Sequence, residues 1–214
     1  MRATRALVFD FNGTLSHDEP VLFAIYAELF AEHDRPLTEA DYYGGLAGNT
    51  EEAIISGWLG VDGTELDGLI EERIDRYVRI ADGSTVPAAV REAVRHAADR
   101  VPVAIVSGAY RREIAPVVER AGLADAVQLL VTADDVTHGK PDPEGYLRAL
   151  DALRLADRAE DVVAFEDTEA GIASAVGAGL RCIALRGTMP DDRLTAAEAI
   201  VDAVDVELVR SLVG

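Results

Sequence analysis

Five short runs rich in Val, Ile, Leu and Ala constrain what this chain can fold into: Ala6–Phe9, Val101–Val106, Val127–Val131, Val162–Phe165 and Arg181–Leu185. None alternates apolar with polar residues. A strand with one wet face alternates, whereas a strand buried on both faces reads as a continuous apolar run, the signature of a parallel sheet covered by helices. Helical segments separate the later runs. They are Pro87–Ala98, Arg111–Ala121 closed by Gly122, Pro143–Leu153, and Glu169–Ala178 closed by Gly179. Proline near a first turn and glycine just past a last one are the usual helix punctuation. Strands alternating with helices predict an α/β fold, a doubly wound parallel sheet with a Rossmann-like core.

One stretch breaks the alternation. Between Ser16 and Ala81 no strand-like run occurs. Leu22, Ile25, Tyr26, Leu29 and Phe30 fall at helical spacing within Val21–His33, and Glu51–Leu59 and Thr64–Ile80 are further helix candidates. An insertion of this length directly after a first strand is functional more often than not. The expected organisation is therefore a catalytic core from residues 1–15 and 82–214, and an inserted α-helical cap from residues 16–81. The insertion point is the carboxyl end of a strand, where open α/β sheets bind ligands.

The 214 residues are 49% apolar, enough for a sizeable core. Thirty-nine acidic residues against 20 Lys and Arg give a net charge of -19. That balance argues against nucleic acid and against anionic membrane surfaces as partners. No stretch approaches 18 apolar residues, and the apolar run near the N-terminus is too short for a signal peptide. The single cysteine, Cys182, lies in an apolar run and is expected as a buried core thiol. It forms no intrachain disulfide and fits a reducing compartment, so a cytoplasmic monomer or homodimer is expected.

Chemistry-bearing residues gather at the carboxyl ends of the predicted strands. Asp10 with Asn12, Gly13 and Thr14 follows the first, and Ser107-Gly108 follows Val103-Ala104-Ile105-Val106. Gly139-Lys140-Pro141 precedes a helix, and Glu166-Asp167 follows Val163-Ala164-Phe165. Each residue type suits phosphoryl transfer. A carboxylate can attack phosphorus. Hard oxygen ligands hold Mg2+, which neutralises an anionic nucleophile and phosphate alike. Lys140 supplies positive charge that binds phosphate and keeps Asp10 ionised. Ser107 offers a hydroxyl and a backbone N–H, and Gly13 permits close approach of the backbone.

These motifs, in this order, resemble those of the haloacid dehalogenase superfamily: Asp10-Phe11-Asn12-Gly13-Thr14-Leu15, Val106-Ser107-Gly108, Gly139-Lys140-Pro141-Asp142-Pro143 and Phe165-Glu166-Asp167-Thr168-Glu169-Ala170-Gly171. The helical insertion between the first and second motifs resembles the helical-cap subgroup, which includes phosphoglycolate phosphatase and β-phosphoglucomutase. The resemblance implies a Mg2+-dependent phosphatase acting on a small phosphorylated metabolite through an aspartyl phosphate. Asp10 would be nucleophile and metal ligand. Asp167 would be a second metal ligand, with Glu166 ligating directly or through water, joined by the backbone carbonyl of Asn12. Ser107 and Lys140 would act on the transferring phosphoryl group, with Gly13, Thr14 and Gly108 lining its site.

The chain departs from that pattern at Asn12, where the family has a second aspartate serving as general acid and base. A carboxamide cannot exchange the proton. Three consequences are open: slow turnover, an asparagine introduced to trap substrate, or a relay from His17, Asp18 or Glu19. A phosphotransferase or mutase, and a catalytically impaired phosphate- and metal-binding protein, are the alternatives to a phosphatase. In the insertion, Gly48-Asn49-Thr50-Glu51-Glu52-Ala53 resembles the family's specificity loop. No Lys or Arg lies between Arg35 and Arg73. A neutral or cationic leaving group is expected there.

Overall fold

The structure is a computed structural model, and it describes residues 3–214. Six strands form one sheet: β1 (Ala6–Phe9), β2 (Val103–Val106), β3 (Leu129–Val131), β4 (Val162–Glu166), β5 (Arg181–Leu185) and β6 (Ala199–Val201). All pair in parallel, in the order β3-β2-β1-β4-β5-β6. This is the doubly wound α/β sheet expected from the continuous apolar runs. β1, β2 and β4 are buried along their whole length.

Nine α-helices accompany the strands among the described residues. They are α1 (Glu19–Glu32), α2 (Glu39–Asp41), α3 (Glu51–Leu59), α4 (Gly63–Ile80), α5 (Ala88–Ala98), α6 (Arg111–Arg120), α7 (Glu144–Ala152), α8 (Glu169–Gly177) and α9 (Val206–Val213). Thr50 caps α3 and Thr168 caps α8, each hydroxyl accepting a backbone N–H three residues on. None of the helices is long and apolar enough to cross a membrane.

The described residues fall into two compact units, one running up to His17 and resuming at Gly83–Gly214, the other Asp18–Asp82. In the first, side chains alternate across the sheet. Ala6, Val8, Ala104, Val106, Val162 and Ala164 share one face with Tyr146, Ala149 and Leu150 of α7 and Ile172 and Ala175 of α8. Phe9 and Phe165, one residue out of phase, stack at 4.7 Å between centroids. The second unit is entirely helical among its described elements. Leu22, Ile25, Tyr26, Leu29 and Phe30 of α1 are buried, as are Leu69, Ile70, Ile74 and Tyr77 of α4.

Two strands are shorter than the apolar runs that announced them. Pro102 has no N–H for the ladder, and β2 starts at Val103. The N–H of Val127 closes a turn onto Leu123 O, and β3 starts at Leu129. The sequence reading had no counterpart for β6, for α9, or for the π-helical turn Tyr42–Leu46.

Candidate active site

Strand register assembles the site. Val8 and Phe9 lie opposite Ala164 and Phe165, and the ladder runs on by one bond from Asp10 N–H to Phe165 O (2.9 Å). Asp10 therefore lies beside Glu166, at the spacing of neighbouring strands. Asp10 follows Val8, and Glu166 follows Ala164, at the two-residue period. Both carboxylates thus project on the face covered by α7 and α8. That face delivers their partners. Lys140, from the loop before α7, places Nζ 2.5 Å from Asp10 Oδ1, 2.7 Å from Glu166 Oε1 and 3.0 Å from the carbonyl oxygen of Val106. The Tyr146 hydroxyl of α7 donates to Glu166 Oε1 at 2.5 Å, and the ammonium lies 5.7 Å from that ring's centre.

Asp167, one residue on, is nearly inaccessible at 2% exposure. Thr14 Oγ1 donates to its Oδ1 at 3.3 Å, and the hydroxyl of Thr188 donates to its Oδ2. Gly13 has φ +76, and a β-carbon there would overlap the Asp167 carboxylate. The turn therefore requires glycine for its dihedral and for its lack of a side chain.

Charge in this pocket is unbalanced. Asp10, Glu166 and Asp167 are all buried, with one ligand oxygen from each within 4.8 Å of the others. Burial pushes the Asp10 carboxyl well above its ordinary range; Lys140 opposes that, while Glu166 and Asp167 add to it. Burial also works against the charge on Lys140, but Asp10 and Glu166 outweigh it and hold its pKa above the usual lysine value. Tyr146 is likewise pushed up, by burial first and then by Glu166, and stays a proton donor. One ammonium cannot neutralise three carboxylates. Glu166 Oε2 is buried and accepts no hydrogen bond. A hard divalent cation held by carboxylate oxygens fits this donor set and would supply the missing charge.

The remaining residues singled out from sequence sit around this cluster. Ser107 is buried beside the Val106 carbonyl that receives Lys140. Its N–H is already given to Val131 O (3.0 Å), which leaves the hydroxyl, not the backbone, to meet a ligand. Ser107 Oγ accepts the Ala109 N–H at 3.2 Å, so its own proton is available to donate. Gly108 is exposed. The Gly13 N–H is given to Ser16 O at 2.8 Å. Asn12 is half-buried and bridges to Ser16. Of the relay candidates, His17 is exposed, with its N–H on Thr85 O. Asp18 accepts from Tyr77 OH, and Glu19 accepts from Tyr42 OH at 2.9 Å, both inside the helical unit.

The helical loop carries two glutamates in different surroundings. Glu51 is buried and ion-paired with Arg73 at 2.8 Å, so its charge is spent within the unit. Of the two glutamates of that loop, Glu52 is the exposed one. Tyr146 and Thr188 went unnoticed in the sequence. Tyr146 reads as an ordinary apolar-face residue of a helix. The signal for Thr188 was positional: it follows the carboxyl end of β5, at the ligand-binding edge of the sheet.

A family model for haloacid dehalogenase-like hydrolases matches residues 4–179. The chain belongs to that family. This haloacid dehalogenase-like hydrolase is an enzyme, and its relatives include phosphatases. Validoxylamine A 7'-phosphate phosphatase of Streptomyces hygroscopicus subsp. limoneus is 30% identical over 200 residues, 92% of each chain. Phosphoglycolate phosphatase of Pectobacterium atrosepticum is 29% identical, over 86% of this chain and 81% of its own. Among solved structures, CbbY from Rhodobacter sphaeroides in complex with phosphate superimposes with a TM-score of 0.83, covering 96% of each chain. At 22% identity that likeness speaks for the fold alone.

Proposed function

We propose that the protein is a phosphatase that hydrolyses phosphomonoesters of small metabolites through an aspartyl phosphate on Asp10. The observation that carries this is the ammonium of Lys140 held between Asp10 and Glu166, beside Asp167, at the carboxyl edge of β1 and β4. Asp10 Oδ1 is occupied by Lys140, which leaves Oδ2 to attack phosphorus. The P–O bond to the leaving group breaks as the Asp10–phosphorus bond forms, and the departing oxygen takes its proton from solvent water. Lys140 and the Ser107 hydroxyl bind the phosphoryl oxygens, where negative charge gathers in the transition state. Water then attacks the acyl phosphate, freeing inorganic phosphate and restoring Asp10.

Asp10, Glu166 and Asp167 would hold Mg2+, with the Asn12 carbonyl as a further ligand. The ion, when bound, supplies positive charge to the phosphoryl oxygens and lets Asp10 ionise. By the family resemblance, the helical insertion sets the preference for the leaving group. With Glu51 neutralised and no cation besides Arg73 between Arg35 and Arg76, a neutral leaving group suits it, such as the polyhydroxylated body of a sugar-like phosphate.

Asn12 limits the rate in both half-reactions, because its carboxamide neither protonates the leaving oxygen nor takes a proton from water. General acid–base help is typically worth about 10²–10⁴-fold. A panel of phosphomonoesters with Mg2+, assayed on this chain and on Asn12→Asp, tests the reading. The expected result is turnover that rises at least ~10-fold in Asn12→Asp. Intact-mass measurement on the original chain should show phosphorylated Asp10. If no substrate gives turnover or adduct with either protein, the proposal fails.

A further inference from the structure

We propose that Thr188 is a positioning residue for Asp167, fixing that carboxylate for a divalent cation; the inference rests on the metal reading above. Asp167 is clamped from both neighbouring strands. Thr14, in the turn after β1, donates to Oδ1 at 3.3 Å, and Thr188, in the loop after β5, donates to Oδ2. β1 and β5 flank β4, which ends at Glu166 just before Asp167. A β-carbon placed on Gly13 would lie 2.8 Å from Thr188 Oγ1 and would overlap Asp167. The glycine turn, the carboxylate and the threonine hydroxyl are therefore in direct contact.

The Thr188 loop is built to hold its place. The Arg186 N–H continues the sheet onto Val201 O at 3.0 Å. Its guanidinium reaches Asp191 at 3.0 Å and Asp202 at 2.7 Å, spanning the loop from both ends. Arg193 ties the far side to Glu169 of α8 at 2.8 Å, and Leu194 is fully buried. Gly187, at φ +134, makes the turn that presents Thr188. A carboxylate oxygen has two lone pairs, so a hydroxyl bond on Oδ2 leaves capacity for a cation. What the hydroxyl contributes is a single carboxylate orientation and an acceptor that is already desolvated and aligned.

Partners of this kind typically change metal affinity by about 10–100-fold. Calorimetric titration of Mg2+, and of Mn2+ as a second probe, into the purified chain reads that affinity without turnover. Thr188→Val keeps the shape and removes the donor. It should weaken binding by at least ~10-fold, while Thr188→Ser should stay within ~3-fold of the original chain. Melting in chelator should be the same for Thr188→Ser and the original chain and only modestly lower for Thr188→Val, which leaves a buried carboxylate oxygen short of a donor, so the affinities are read well below the transition. Equal affinity in Thr188→Val and the original chain overturns the inference and leaves the metal reading intact. Equal weakening in Thr188→Val and Thr188→Ser also overturns it, because packing would then be the cause. If the original chain takes up neither ion, the metal reading falls, and this inference with it.

Discussion

Gly171 explains why Glu166 can lie where it does. It stands in the first turn of α8, where alanine would ordinarily stabilise the helix by roughly 0.5–1 kcal/mol. A β-carbon at that position would overlap the Glu166 carboxylate. That carboxylate cannot swing aside, because it is fully buried and gripped by Tyr146 and Lys140. Glycine at 171 is thus the space for a buried anion. Gly171→Ala should show no gain in melting temperature, and kcat/KM on the best phosphomonoester should fall by at least ~10-fold as the carboxylate is displaced. A melting temperature raised as in an ordinary helix, with activity unchanged, would contradict this account.

The elements show what was legible in the sequence. Strands buried on both faces declare themselves as continuous apolar runs, so β1, β4 and β5 were readable nearly to the residue. The residues at their carboxyl ends could be ranked by chemistry alone. The π-helical turn at Tyr42–Leu46 and the edge strand β6 carry no such signal. The first passes through Gly44 and Gly45, and the second is three residues long with its first residue exposed. Tyr146 reaches the site through α7 packing, which no local pattern encodes, and Thr188 is marked only by its place after the carboxyl end of β5.

The loop that carries Lys140 adds a prediction at this scale. Glu144, at the start of α7, accepts the N–H groups of Thr137 (3.1 Å) and His138 (2.9 Å) and the Arg148 guanidinium (2.7 Å). Arg148 chiefly, then these N–H groups, hold its carboxyl down at about 2. Glu144→Ala should release the loop and lower kcat/KM by ~10-fold, because Lys140 loses its fixed position. The sign of the pH effect follows from the depressed pKa. The stabilising contribution is complete above the ordinary value of 4.5 and disappears as pH falls through about 2. The difference in melting temperature between the original chain and Glu144→Gln should therefore shrink across that window. A constant difference would rule the carboxylate out as the cause.

At the scale of the whole molecule the two units carry separate cores, and the helical one contains its own buried charge. Arg73 and Glu51 pair at 2.8 Å with side chains 4% and 10% exposed. The guanidinium lies 5.5 Å from the ring centre of Tyr26 and 5.7 Å from that of Tyr77. Such a pair is weak evidence of net stability, but breaking it is a different matter, since a lone buried charge costs about 3–5 kcal/mol. Glu51→Ala should therefore destabilise the unit by about that amount, whereas Glu52→Ala, at an exposed site, should change little. The loss should be local, because the internal contacts of Asp18–Asp82 form one cluster and those of the sheet another. Native-state hydrogen exchange is the suitable readout, since it resolves units that open separately. Protection should fall in α1, α3 and α4 and persist in β1, β2 and β4. Equal loss in both sets would mean that the units unfold as one, and a loss below ~1 kcal/mol would mean that Arg73 finds another partner or water when Glu51 is removed.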